Sequence, residues 1–191
     1  MGTDIMSSPV TRYRFNVDEY YLMGDAGIFD EHDRVELIEG DIIQLPKASS
    51  RHASSVMRLT ALFYRNVAQR LIVSVHDPLR LDEYSEPLPD VALLTWRDDR
   101  YASRHPGPTD ALLVVEVSSA DHEYNRSVKL PVYARAGIVE VWLVDLPNEV
   151  IEVYSQPQSG KYKASRQSGR SASITVEALP GVMVKVDDIL G

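Results

Sequence analysis

Apolar positions along the chain follow two patterns. Over residues 49–71, Val56, Leu59, Leu62, Phe63 and Val67 recur at helical spacing with polar residues between them. This predicts an amphipathic helix capped by Ser49 or Ser50. A shorter helix is expected after Asn16, a suitable N-cap with Asp18 and Glu19 in the first turn, ending near Gly24 or Gly27. The second pattern is the short continuous apolar run. Residues 88–94, 112–117 and 139–144 each read as a strand covered on both faces, with a further strand over 150–154 beyond the Pro147-Asn148 turn. Residues 34–45 alternate around Glu39-Gly40-Asp41, which predicts a hairpin with Glu36 and Ile38 on one face and Val35 and Leu37 on the other.

Between these lie the connections. Two short strands are expected in 71–81 around His76-Asp77-Pro78, then loops over 82–89 and 96–109. Another helix is expected to carry Lys129, with Asn125 as its cap, Pro131 near its start and Gly137 at its end. The tail over 156–176 reads as an exposed hairpin, and the alternation over 179–190 as an edge strand returning to the sheet. Together these elements predict one α/β domain over 13–191: a central mixed sheet, helices on its faces and extra hairpins near both termini. Residues 1–12 are expected to be a disordered or expression-derived leader.

The chemistry sits where these strands end. Glu116 interrupts the run Leu112-Leu113-Val114-Val115-Glu116-Val117, and a carboxylate in a buried strand needs a cation, a hydrogen bond or a metal ion beside it. Asp90 stands at the entrance of a second apolar strand. If the two strands pair, both carboxylates reach one point at the sheet edge, where hard oxygen ligands suit Mg²⁺ or Mn²⁺. Lys129 follows Glu116 by 13 residues, on a helix able to bring its amine to the same point. Two carboxylates and a lysine suit metal-dependent phosphodiester hydrolysis. Each also has a plainer reading. Pro89-Asp90 serves as a turn, Glu36 as an exposed hairpin carboxylate, His52 as a packing residue, and Glu116 with Lys129 as a structural ion pair.

The order Pro89-Asp90, Val114-Val115-Glu116-Val117-Ser118-Ser119, Lys129 and Tyr133-Ala-Arg-Ala-Gly-Ile-Val-Glu-Val-Trp-Leu-Val-Asp145 resembles the Uma-two family of the PD-(D/E)-x-K nuclease superfamily. Arg34-Val-Glu-Leu-Ile-Glu-Gly40 and His52 extend the resemblance to about residues 17–190. It implies a restriction-endonuclease-like fold and an endonuclease dependent on Mg²⁺ or Mn²⁺, with Asp90, Glu116, Lys129 and Glu36 as catalytic residues. It also implies metal ligands from Asp90, Glu116 and the Val117 carbonyl, nucleic acid (DNA) as partner, and a homodimer. Where the family places an acidic residue four positions before the lysine, this chain has Asn125. Ser118 occupies the superfamily's commonest lysine position, which leaves Lys129 as the displaced lysine.

Composition narrows the alternatives. With no cysteine, thiolate metal sites and disulfides are excluded. No apolar run approaches the ~20 residues that span a bilayer, so a soluble cytoplasmic protein with no membrane partner is expected. The net charge of −8 argues against a broadly basic nucleic-acid surface, but not against acidic residues gathered around a cation. Positive charge is expected from Arg51, Arg58, Arg65 and Arg70 on one helix, from Arg97, Arg100 and Arg104 in the 96–109 loop, and from Lys161, Lys163, Arg166 and Arg170 in the tail. The rival to an enzyme is a binding or assembly module that keeps the nuclease fold with impaired chemistry, which Asn125 and the net charge favour.

Overall fold

The computed structural model describes residues 10–30, 33–67, 71–119 and 121–191. Residues 1–9 of the expected leader, and Arg70, lie outside them; Arg12, within that leader, meets Asp41 at 3.1 Å. In chain order the elements are α1 (Val17–Asp25), β1 (Val35–Ile38), β2 (Asp41–Gln44), α2 (Ser50–Val67), β3 (Leu71–Ser74), β4 (Val91–Thr95) and β5 (Ala111–Ser118). The helical run α3 follows, built from His122–Tyr124, Asn125–Lys129 and Leu130–Ala136. Then come β6 (Glu140–Asp145), β7 (Val150–Gln158), β8 (Lys161–Gly169), β9 (Ser173–Thr175), β10 (Met183–Lys185) and α4 (Val186–Leu190).

The central sheet runs β3-β4-β5-β6-β7-β8. Only β5 and β6 are parallel, because α3 supplies the crossover that a parallel pair requires; the other neighbours are antiparallel. Strand alternation divides the core in two. Val115 and Val117 face the layer of α2, α4 and the β9–β10 ribbon, where Leu59, Phe63, Ile174 and Ile189 pack. Val114 faces the opposite layer, where Ile38 of the β1–β2 hairpin and Val132 and Tyr133 of α3 pack. Glu116 shares the face of Val114 and is therefore aimed under α3. Trp142 is fully buried against Phe63, as expected of a core residue.

The caps behave as the sequence implies. Asn16 and Glu19 form a capping box at α1, Ser49 accepts from the His52 N–H at α2, and Gly137 closes α3 at φ 83°. Several expectations are corrected. Residues 71–81 form one strand rather than two, since β3 stops at Ser74 and His76 takes φ 57°. Asn125 does not cap α3, which begins three residues earlier at His122; it lies in a π-type turn where the Leu130 N–H reaches the Asn125 carbonyl. That wider turn accommodates Pro131, which has no N–H to donate. Residues 179–190 add no strand to the central sheet: β10 pairs with β9, and the spacing of buried Val186, Ile189 and Leu190 makes a helix packed on α2. The expected tail hairpin instead lies in the central sheet, with β8 as its outer strand. Among the described residues no helix is long and apolar enough to cross a membrane.

The β1–β2 turn is the tightest point of the fold's entrance. Glu39 and Gly40 take φ 49° and 78°, as a two-residue hairpin turn needs, and a Cβ on Gly40 would stand 2.7 Å from Arg14 Cβ. Gly137 has the same backbone sign but nothing within 4 Å. Gly40→Ala is expected to destabilise the fold by about 2 kcal/mol or more, and Gly137→Ala by about 1 kcal/mol. Denaturant unfolding of both variants checks this; equal losses would show that the Arg14 contact carries no weight.

Candidate active site

Antiparallel pairing of Val91 with Val115 sets Asp90, one residue before β4, against the end of β5. Asp90 Oδ2 accepts the Val117 N–H at 2.7 Å, and Oδ1 lies 3.1 Å from both His52 Nε2 and His76 Nε2. On the α3 side, Lys129 Nζ donates to Glu116 Oε1 at 2.7 Å and to Glu36 Oε2 at 3.1 Å. Tyr133, one helical turn after Lys129, donates to Glu116 Oε1 at 2.5 Å. Glu36 Oε1 accepts from Tyr124 at 3.0 Å, and Oε2 also accepts the Leu88 N–H at 3.0 Å. Hairpin, strand and helix therefore meet at one ammonium group, with Glu36, Glu116 and Lys129 all at most 3% exposed.

The charges are unequal, and this sets the local proton affinities. Burial pushes Glu116 upward, to about 7, and the charges of Asp90 and Glu36 add to this against the pull of Lys129. Burial pulls Lys129 downward, but Glu116 and Glu36 outweigh it and raise its affinity above that of an ordinary lysine. The two halves of the pair thus pull apart: the ammonium stays charged while the carboxylate strains toward its neutral form. We give the ammonium priority, because it touches two carboxylates. Asp90 is pushed up by burial but held well below the usual range by His52, His76 and the Val117 N–H. The Asp90 hydrogen bond raises His52, in opposition to burial.

Asp90, Glu116, Lys129 and Asn125 line one narrow pocket with His52, Arg34, Lys47, Ser119 and Asp121. Asn125, fully inside, donates to Ser118 Oγ at 3.0 Å. A family model named Uma2, described as "Putative restriction endonuclease", matches residues 17–187. The chain belongs to the Uma2 family. No curated protein matches it. The solved structures similar to it include a crystal structure titled as a putative nuclease from Anabaena variabilis, 16% identical, with a TM-score of 0.73 over 92% of this chain and 97% of that one. At that identity the likeness shows the fold alone, a mixed sheet flanked by helices.

The structure gathers all four side chains picked out in sequence, Asp90, Glu116, Lys129 and Glu36. Glu36 is wholly buried rather than an exposed hairpin carboxylate, and His52 touches Asp90. Sequence reading missed His76, Tyr124 and Tyr133. Tyr133 was detectable four residues after Lys129 on the same helical face; His76 comes from an irregular loop and leaves no periodic trace. The expected basic stretches do not reach this pocket. Arg97 pairs with Asp99, Arg104 with Asp110, and Arg51 and Arg170 with Glu149, while Arg100 stacks over Trp96.

Because His52 is raised above its ordinary 6.5, its bond to Asp90 stabilises the fold fully below pH 6.5 and is lost as pH rises through the raised value. His52→Gln is expected to lower stability most at acidic pH and to flatten the fall in stability of the wild type between about pH 5 and 8. Chemical denaturation across that range checks the sign. A deficit that grows with rising pH would contradict it.

Proposed function

We propose that this protein is a cytoplasmic, divalent-metal-dependent endonuclease that hydrolyses phosphodiester bonds of DNA. The observation that carries the reading is a single buried Lys129 held between Glu116 and Glu36, with Asp90 lining the same pocket, in a chain whose family is described as "Putative restriction endonuclease". A structural ion pair needs one carboxylate per amine; this cluster has more.

The residues fit a hard divalent cation. Asp90, Glu116 and the Val117 carbonyl are the candidate ligands, all oxygen donors. The Ser118 carbonyl is taken by the Leu146 N–H on the β6 side, so strand alternation turns the Val117 carbonyl to the Asp90 side. Among the described residues no group of three acidic or histidine side chains could enclose a metal alone. Mg²⁺ and Mn²⁺ keep waters and substrate phosphate oxygens in their shell beside a few protein oxygens. Such an ion would supply Lewis acidity and a more acidic bound water.

The chain's own residues supply placement. Tyr133 and Lys129 fix one oxygen of Glu116 and leave the carboxylate aimed at the pocket. Glu36 anchors Lys129 from behind, so its ammonium points where charge develops on the attacked phosphate and is preorganised to stabilise it. His52 and His76 hold Asp90 ionised. A homodimer would present two such sites to the two strands of a duplex. The rival reading, a nuclease-fold binding module, is favoured by Asn125, whose neutral amide is occupied with Ser118.

Asp90→Asn and Glu116→Gln are expected to weaken Mn²⁺ binding in calorimetry, whereas Lys129→Ala leaves it unchanged or improved and slows plasmid nicking about 10²-fold or more. Equal Mn²⁺ affinity in all three variants, together with lowered melting temperatures, would reduce the cluster to a buried salt bridge. Mn²⁺ binding by a wild type that never nicks would favour the binding module.

A further inference from the structure

Arginines in this chain are mostly matched to carboxylates, as expected at a net charge of −8. Arg80 pairs with Asp18, Arg126 with Glu152 and Arg135 with Glu39. Arg34 is different. Its one hydrogen bond among the described residues is a long one, 3.4 Å, to the Pro46 carbonyl, and no carboxylate among those residues pairs with it. It nevertheless lines the pocket of Asp90 and Glu116, with Lys47 alongside.

The placement follows from the hairpin. Arg34 and Glu36 are two residues apart, so the strand face that buries Glu36 against Lys129 also turns Arg34 toward the pocket, nearer its mouth. Arg34 is half-buried and Lys47 exposed, whereas Lys129 is fully inside. The pocket wall therefore carries Asp90, Glu116 and Asp121 against Lys129, Arg34 and Lys47. Lys129 is already committed to Glu36 and Glu116, which leaves Arg34 and Lys47 to meet an incoming anion. A guanidinium that the described residues leave without a carboxylate suits a phosphate, which it can grip through two parallel N–H bonds. The other basic stretch lies elsewhere: Lys161 borders an apolar cavity with Tyr154 and Tyr162, and Arg166 donates to Thr175.

We propose that Arg34, assisted by Lys47, is the substrate-binding cation of this pocket and holds a backbone phosphate of the nucleic-acid strand beside the carboxylate–lysine cluster. The assignment rests on the nuclease reading above. It explains how an acidic protein engages a polyanion: cations at the mouth of the site meet the phosphate.

Anisotropy of a fluorescent DNA duplex with Ca²⁺ present, repeated over a series of salt concentrations, tests the assignment, with Mn²⁺ calorimetry and melting temperature as parallel readouts. Arg34→Ala is expected to weaken DNA binding about tenfold and to reduce the salt slope by about 0.9, the share of one phosphate contact, with Mn²⁺ affinity unchanged. Arg34→Lys should restore the slope but only part of the affinity, Lys47→Ala should show a smaller loss, and Arg80→Ala none. If Arg34→Ala keeps wild-type affinity and slope while Lys129→Ala still abolishes nicking, the Arg34 assignment is wrong and the nuclease reading stands. A wild type that binds no DNA at any salt concentration would overturn both.

Discussion

The ammonium of Lys129, buried between Glu36 and Glu116, is the interaction on which the functional half of the molecule depends. It ties the β1–β2 hairpin, strand β5 and helix α3 to one point, with 2.7 and 3.1 Å contacts between almost fully buried side chains. Removing one member of such a group leaves a bare buried charge, a loss of about 3–5 kcal/mol. Replacing the whole group by well-packed apolar residues is often neutral or stabilising. Stability alone therefore does not account for a second carboxylate on one amine. The divalent cation proposed above would account for it, since it adds the positive charge that the amine alone does not supply.

The same imbalance explains the surrounding hydrogen bonds. Each acidic group has a partner that fixes its direction: Tyr133 for Glu116, Tyr124 and the Leu88 N–H for Glu36, and His52, His76 and the Val117 N–H for Asp90. At Glu116 and Glu36 the phenol and amide partners steer the carboxylate without neutralising it. Positive charge is rationed in a complementary way. Most arginines are tied to surface carboxylates, where exposed pairs add little stability, while Arg34 and Lys47 line the pocket.

Much of this was readable in the sequence, and the reasons differ by residue. Glu116 stood out because a carboxylate inside a β-branched run has no plain explanation, and strand alternation then fixed the side it faces. Lys129 followed because Pro131 and Gly137 bracket a helix that carries it. Glu36 remained ambiguous because a four-residue strand does not reveal what covers it; only the bridge from the hairpin to Glu86 and the packing under α3 bury it. His76 was invisible since a loop residue at positive φ carries no periodicity. Asn125 misled for a physical reason: the same amide that caps a helix can sit in a π-type turn and hold Ser118, and Pro131 fits either arrangement. The C-terminal strand was misread because alternation over 179–190 was weighed above the i, i+3, i+4 spacing of Val186, Ile189 and Leu190.

The claim at the centre of this account is that the charge missing from the cluster is supplied by a divalent cation held at Asp90 and Glu116. Anomalous diffraction from a crystal soaked in Mn²⁺ reads this directly. The account predicts a single Mn²⁺ peak in contact with both carboxylates and on the side of the Val117 carbonyl. A fully soaked crystal with no peak there, in which Asp90 keeps its bonds to His52 and His76 and Glu116 remains closed on Lys129, would contradict it.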